Sequence, residues 1–176
     1  MNTHTRLLPV EQKIIEANSC ECRVKVGQIA KELGVSVKLS SIGRGISGKI
    51  VKKDGLYTIF VNRHEARTRQ RMTIANLLGH YLMHRDVIDE TDRGIEKNIL
   101  YRSGISDKID NEARRFAYDT LIPAHLLKKI LQDDFDFFMS ADVIEILAAR
   151  FQVPIAAIEA RLSFLCDTGY LRLSRK

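Results

Sequence analysis

The sequence predicts an α+β fold in which a small, mostly antiparallel sheet of about three strands packs on a central helix and the C-terminal half is helical. Two runs rich in β-branched and aromatic residues flank Asp54-Gly55, a pair typical of tight β-hairpin turns. A long segment with helical spacing of apolar residues follows at 66–84. Helical spacing then dominates from about residue 109 onwards.

The N-terminal part is predicted to contain two helices and one strand. Residues 8–18 have amphipathic helical spacing, and residues 24–33 have apolar side chains at i, i+3, i+4 and i+7. Gly34 is a typical residue at a helix C-terminus and is expected to end the second helix. Residues 35–39 alternate between apolar and polar side chains, which indicates a short strand.

The hairpin is predicted from residues 48–51 and 56–61, with Asn62 ending its second strand. The glycines that precede it, between residues 43 and 48, lack the spacing of a phosphate-binding loop and are expected to serve turn geometry. Residues 86–107 are charged and irregular, and their pattern assigns no element.

The central helix is predicted over 66–84, and positions 76, 80 and 84 lie on one stripe of it because steps of four drift little on a 3.6-residue helix. Five apolar residues are expected to form its buried side: Met72, Ala75, Leu78, Leu82 and Met83.

The C-terminal half is predicted to be helical at about 109–121, 125–131, 141–151 and 155–166. The last two helices resemble a helix-turn-helix. We expect residues 1–138 to form the main domain and residues 139–176 a helical segment packed on it, with a single domain as the alternative.

Composition places the chain among ordinary globular proteins, with 45% hydrophobic and 28% charged residues. No apolar run approaches the roughly 20 residues that span a membrane, and no secretory signal follows Met1, so a cytoplasmic location is expected. Three cysteines are an odd number, which argues against a disulfide framework. The net charge of +6 permits contact with nucleic acid or an acidic partner.

Residues 73–80 read TIANLLGH, which resembles an H-E-x-x-H zinc-protease helix with two positions replaced. In that motif two histidines bind Zn²⁺ and the glutamate is the general base that activates the metal-bound water. His80 corresponds to the second histidine, whereas Asn76 and Leu77 stand at the first histidine and the glutamate. Leu77 cannot accept a proton, and the neutral amide of Asn76 is a poor zinc ligand.

Two separated segments resemble the ImmA/IrrE metallopeptidase family, whose members carry R-Q-R-F-T-I-A-H-E-L-G-H-x-L-L-H and, downstream, E-A-N-x-F-A-x-x-L-L-M-P. Here residues 69–84 read RQRMTIANLLGHYLMH and residues 112–123 read EARRFAYDTLIP. The resemblance covers roughly residues 24–165. It implies a zincin-like fold, zinc ligands at positions 76, 80 and 112, and a general base at position 77. Of these, His80 and Glu112 match the family, and Asn76 and Leu77 depart from it.

The resemblance implies a substrate cleft bounded by the central helix and the strand that ends at Asn62, and active relatives are associated with control of repressors and stress-response regulators. We therefore expect a catalytically impaired pseudoenzyme that needs no cofactor and binds a repressor-type transcription factor of a phage or mobile element without cutting it. The cleft is expected to contain Asn62, Asn76, Leu77, His80, Tyr81 and Glu112.

Two other functions stay open at this point. His84 lies four residues beyond His80, so His80, His84 and Glu112 could hold zinc in a shifted site of an active peptidase. The C-terminal helix pair could bind DNA, although its second helix begins IAAIE and has no basic residue before Arg161. Asp119, seven residues after Glu112, is expected to meet a basic neighbour.

Overall fold

In a computed structural model of the chain, the structure describes residues 7–90, 94–98, 107–135 and 140–173. Helices and a mixed sheet confirm the predicted α+β class. In chain order the elements are α1 (Pro9–Asn18), α2 (Val26–Glu32), β1 (Ser36–Ser40), β2 (Ile46–Lys53), β3 (Leu56–Asn62), α3 (Arg67–Met83), α4 (Arg85–Asp89), β4 (Ile95–Asn98), α5 (Asp107–Leu121), α6 (Ala124–Phe135), α7 (Ala141–Phe151) and α8 (Ile155–Asp167).

The sheet has the strand order β1-β3-β2-β4. The predicted hairpin is β2 and β3, and its turn residues Asp54 and Gly55 both have positive φ, 51° and 77°, as a type I′ turn requires. β1 pairs with β3 in parallel, and β4 pairs with β2 in antiparallel register. The sheet therefore has one strand more than the three expected, and β4 lies in the segment to which the sequence pattern assigned no element.

The α3 helix lies against the sheet on one side and against α5 on another, and it is buried around most of its circumference. Two of the residues predicted to be buried, Ala75 and Leu78, are fully buried. The other three, Met72, Leu82 and Met83, are only half-buried. The helix is enclosed by two layers, so its polar side chains at 76 and 80 are buried as well.

Close packing of α3 depends on two glycines. A Cβ atom at Gly79 would lie 2.9 Å from the carbonyl oxygen of Ala113 and 3.0 Å from its Cα, so only glycine permits this approach of α3 to α5. A Cβ atom at Gly48 on β2 would lie 2.7 Å from the Thr73 methyl group of α3. These contacts bring the motif helix close to both of its neighbours.

The C-terminal helices begin and end where local signals predict. Ser140 caps α7 by accepting a hydrogen bond from the Val143 amide at 3.4 Å, and Gln152 ends α7 in the left-handed region at φ 54°. The Gln152 carbonyl accepts a hydrogen bond from Arg71 of α3 at 3.1 Å. The boundary predicted at 138 falls outside the described residues, so the division into two domains stays a prediction.

The basic neighbour expected for Asp119 is Arg161 of α8, whose guanidinium lies 2.8 Å from the carboxylate. Both side chains are buried. The cysteines Cys20, Cys22 and Cys166 are free thiols. Among the helices in the described part of the chain, none combines the length and apolarity that crossing a membrane requires.

Candidate functional site

The two replaced motif positions lie at different places in the interior. Leu77 is fully buried, and its Cδ1 lies 3.3 Å from where a Cβ atom at Gly48 would stand, so it packs towards β2. Asn76 is only 3% exposed and lines a cleft of about 220 Å³. Its amide oxygen Oδ1 is inaccessible to solvent and has no hydrogen-bond partner within the described residues. Leaving a buried acceptor unsatisfied typically costs about 1–3 kcal/mol.

His80 is fully buried between α3 and α5. Its Nε2 lies 3.4 Å from the carboxylate of Asp110, which is itself 4% exposed. The family resemblance assigns a zinc-ligand role to Glu112, yet the acid that the structure records beside His80 is Asp110.

Glu112 lies beside His84, the histidine four residues after His80. Its carboxylate is 3.4 Å from Nε2 of His84. The centroids of the His80 and His84 rings are 5.8 Å apart. His84 lies just beyond α3, with φ −139° and ψ 43°. Its amide still donates to the His80 carbonyl at 2.8 Å, so His84 is the C-cap residue of α3, one turn beyond His80.

These residues do not fit the zinc set that the family resemblance implies. Within residues 7–90, 94–98, 107–135 and 140–173, no three His, Cys, Asp or Glu side chains converge as metal ligands. Instead, each histidine faces one carboxylate of α5, and the first ligand position carries the neutral amide of Asn76. A zinc site normally requires three or four such donors around one point.

Asn62 and Tyr81 make structural contacts. The Asn62 amide donates to the Ile46 carbonyl at 3.0 Å and its Oδ1 accepts from the His64 amide at 3.1 Å. The Tyr81 hydroxyl donates to the Leu33 carbonyl at 3.3 Å. The strand that ends at Asn62 is also an interior strand, paired on both sides. It therefore offers no free edge to an extended peptide, and in the described sheet the edges belong to β1 and β4.

The described residues that line the cleft at Asn76 come from β2, α3, α5 and the start of α8. They are Ser47, Arg69, Met72, Thr73, Asn76, Arg114, Ala117, Tyr118, Pro154, Ala156 and Ala157. Burial raises the pKa of the Tyr118 hydroxyl, although the nearby Arg114 acts in the opposite direction, so the phenol remains a neutral hydrogen-bond donor at neutral pH. Of the six residues expected in the substrate cleft, Asn76 is the one that lines this recess, and the substrate cleft itself stays a prediction.

Sequence reasoning missed Asp110 and the lining residues from α5. The signal for Asp110 was present, because Asp110, Ala113 and Ala117 follow the i, i+3, i+7 spacing of a buried helical face. A carboxylate on such a face requires a partner, whereas Glu112 lies off that face and is partly exposed. The cleft itself depends on how α8 meets α3 and α5, which no local pattern shows.

Comparisons with known proteins agree with this architecture. Comparison with curated proteins gave no significant match. Among solved structures, a chain described as a Mycobacterium tuberculosis transcriptional regulator superposes with a TM-score of 0.58 at 16% identity, covering 92% of this chain and 46% of that one. The likeness shows a shared fold, and this chain spans less than half the length of that regulator.

The family described as IrrE N-terminal-like domain matches residues 30–163, which include the motif helix and the acidic segment of α5. That range covers most of the chain and confirms the resemblance drawn from the two motif segments. The chain belongs to the family of IrrE N-terminal-like domains.

Proposed function

We propose that this chain is a regulatory interaction module, in which a peptidase-type cleft binds a repressor-type transcription factor of a phage or mobile element without cleaving it. The observation that carries the proposal is the pair Asn76 and Leu77 at the first metal-ligand and general-base positions of the motif. Metal-dependent peptide hydrolysis needs an activated water and a group that accepts its proton. Leu77 supplies no acceptor, and it is buried against the sheet.

Retention of the surrounding scaffold supports a binding role. Gly79 still permits the close α3–α5 contact, and His80 and His84 still face carboxylates of α5. The replacements alter the chemistry at two adjacent positions of a motif helix that is closely packed.

The partner class is proposed by analogy with the family, whose active members are associated with control of repressors and stress-response regulators. A transcription regulator of repressor type is the partner to test first. This choice rests on an analogy between proteins of the same fold. No cofactor is needed for this role.

The test is co-incubation with the repressor-type regulator encoded nearest to the gene for this chain, followed by size-exclusion chromatography and intact-mass measurement. We expect co-elution with the regulator at its full mass, unaffected by a metal chelator. Cleavage fragments that disappear on chelation would contradict the proposal, and so would separate elution of the two proteins.

The second candidate is an active peptidase with zinc at a shifted site formed by His80, His84 and Glu112. The observations on its side are the 5.8 Å spacing of the two rings and the contact of His84 with Glu112, whereas no three such ligands converge among the described residues. Zinc content, measured on protein purified without a metal-affinity tag, separates the two functions. The binding module predicts less than one zinc per chain and no change on His80→Ala, whereas stoichiometric zinc that is lost on His80→Ala would establish the shifted site.

A further inference from the structure

The Asn76 cleft, defined by the lining residues given above, is a small recess with a polar floor and a cationic rim. Its volume of about 220 Å³ is below the roughly 300–1,000 Å³ of sites that enclose a drug-sized ligand. A recess of this size fits one or two side chains of a longer molecule that extends beyond it. The apolar surface of Met72, Ala117, Pro154 and Ala157 can cover the stem of such a side chain.

The floor of the cleft carries an unsatisfied amide. Asn76 is 3% exposed, lines the cleft, and its Oδ1 has no hydrogen-bond partner among the described residues. A carboxamide offers one acceptor and two donors, which match the N–H and C=O of a peptide group. A partner's backbone would therefore satisfy this amide.

The rim of the cleft is positively charged. Arg69 and Arg114 are the only charged residues among its described lining residues. Arg69 is 3.5 Å from Glu65 and partly neutralised by it. Arg114 is exposed and has no ion-pair partner in the described part of the chain. Tyr118 adds a neutral hydroxyl donor beside Arg114. Glu65, an acid outside the lining, is engaged by Ser47 at 2.8 Å and by Arg69, which leaves Arg114 and the Tyr118 hydroxyl as the cation and donor complementary to an acidic side chain.

We infer that the Asn76 cleft recognises an acidic peptide segment, with Asn76 hydrogen-bonding a backbone peptide group of the partner and Arg114, assisted by Arg69, pairing with an aspartate or glutamate side chain. The inference rests on the proposed function and specifies the chemistry of the segment that the partner inserts. A nucleic-acid phosphate is disfavoured, because apolar side chains flank the recess.

The first experiment is selection from a random peptide phage library on the full chain, followed by measurement of the best peptide by fluorescence anisotropy. We expect enrichment of Asp or Glu among the selected peptides. The charge reversal Arg114→Glu should weaken the best peptide about tenfold or more, and raised ionic strength should weaken it as well. The matched control is Lys129→Glu, the same charge change at an exposed position of α6 outside the cleft.

Asn76→Leu removes the amide while keeping a similar volume, and a thermal melt confirms that each variant is folded. We expect Asn76→Leu to weaken the peptide while leaving its acidic preference intact. Peptides without acidic enrichment, equal weakening by Arg114→Glu and Lys129→Glu, or displacement of the peptide by random duplex DNA would overturn the inference.

The experiments distinguish a failure of this inference from a failure of the proposed function. If the regulator co-elutes with the chain but Arg114→Glu and Asn76→Leu leave that complex unchanged, the inference is wrong and the binding role stands. If acidic peptides are selected and lost as expected while the regulator does not co-elute, the cleft specificity stands and the proposed partner class is wrong.

Discussion

The buried polar side chains of this chain differ in whether their polar atoms have partners. Asp119 and Arg161 form an ion pair at 2.8 Å, and Arg161 also donates from Nε to the Ile122 carbonyl at 3.2 Å. Burial lowers the pKa of Arg161, while the Asp119 carboxylate opposes that shift. Asn76, in contrast, is buried with its amide oxygen unsatisfied. The buried charges of Asp119 and Arg161 thus face each other, whereas the Asn76 oxygen has no hydrogen-bond partner among the described residues.

Arg161→Met is predicted to lower the free energy of unfolding by about 3–5 kcal/mol, because it removes the buried guanidinium that pairs with the Asp119 carboxylate. Urea denaturation followed by circular dichroism measures the loss. The double variant Asp119→Leu/Arg161→Met removes both charges and should recover a large part of the stability. A single variant as stable as the wild type would show that the ion pair contributes no net stability.

We predict that the Tyr118 hydroxyl makes the free energy of unfolding depend on pH in the alkaline range. Burial raises its pKa in the folded state, so the folded protein binds this proton more tightly than the unfolded chain does. The resulting stabilisation is complete below the unfolded pKa of about 10 and is lost as pH rises through the folded value. Tyr118→Phe should therefore flatten the alkaline loss of stability.

The measurement is the urea midpoint of wild type and Tyr118→Phe at neutral pH and at about pH 10–11. The Tyr57→Phe variant is the comparison, because Tyr57 also has a raised pKa but lies outside the cleft and contacts Asp89. Parallel alkaline curves for wild type and Tyr118→Phe would contradict the assignment.

At the scale of elements, local signals predicted the parts of the fold that local chemistry determines. Asp54-Gly55 predicted the hairpin because both residues adopt positive φ, and Pro123 predicted the end of α5. β4 was missed because Ile95–Asn98 is short and is stabilised by pairing with β2, a contact distant in sequence. The burial of His80 and Asn76 depends on two layers enclosing α3, which a single apolar stripe does not show.

The contact between α3 and α5 yields a prediction for Gly79→Ala. A methyl group there meets backbone atoms of Ala113 at 2.9 and 3.0 Å, and backbone cannot move aside cheaply. Overpacking typically costs about 1–3 kcal/mol, and contacts this short with backbone place Gly79→Ala in the upper part of that range, above the gain of at most about 1 kcal/mol from replacing a helical glycine. We expect a net loss of about 1–2 kcal/mol in urea denaturation.

Gly27→Ala is the matched control, because Gly27 lies in α2 with no atom within 4 Å of the added methyl group. It should leave stability unchanged or raise it by up to about 1 kcal/mol. If both glycine variants behave alike, the close approach of α3 and α5 does not limit packing.

At the scale of the whole molecule, the position of the C-terminal helices bears on nucleic-acid binding. A recognition helix reads the major groove with the side chains of its first turns. Here the start of α8, with Pro154, Ala156 and Ala157, lines the Asn76 cleft. Arg161, the first basic residue of α8, is buried against Asp119. The first turns of α8 therefore present none of the basic residues that give the chain its net charge of +6.

We predict that the chain gives no mobility shift with random duplex DNA at about 100 μM protein and about 0.15 M salt, a concentration that reaches the nonspecific dissociation constants of about 10⁻⁴–10⁻⁶ M. Ile155, the exposed apolar residue that begins α8, provides the decisive variant. Leu56→Glu is the control, because it adds the same charge at the exposed hairpin. If a residual shift is seen at lower salt, we expect Ile155→Glu and Leu56→Glu to affect it equally. A shift at 0.15 M that Ile155→Glu abolishes and Leu56→Glu preserves would make α8 a recognition helix.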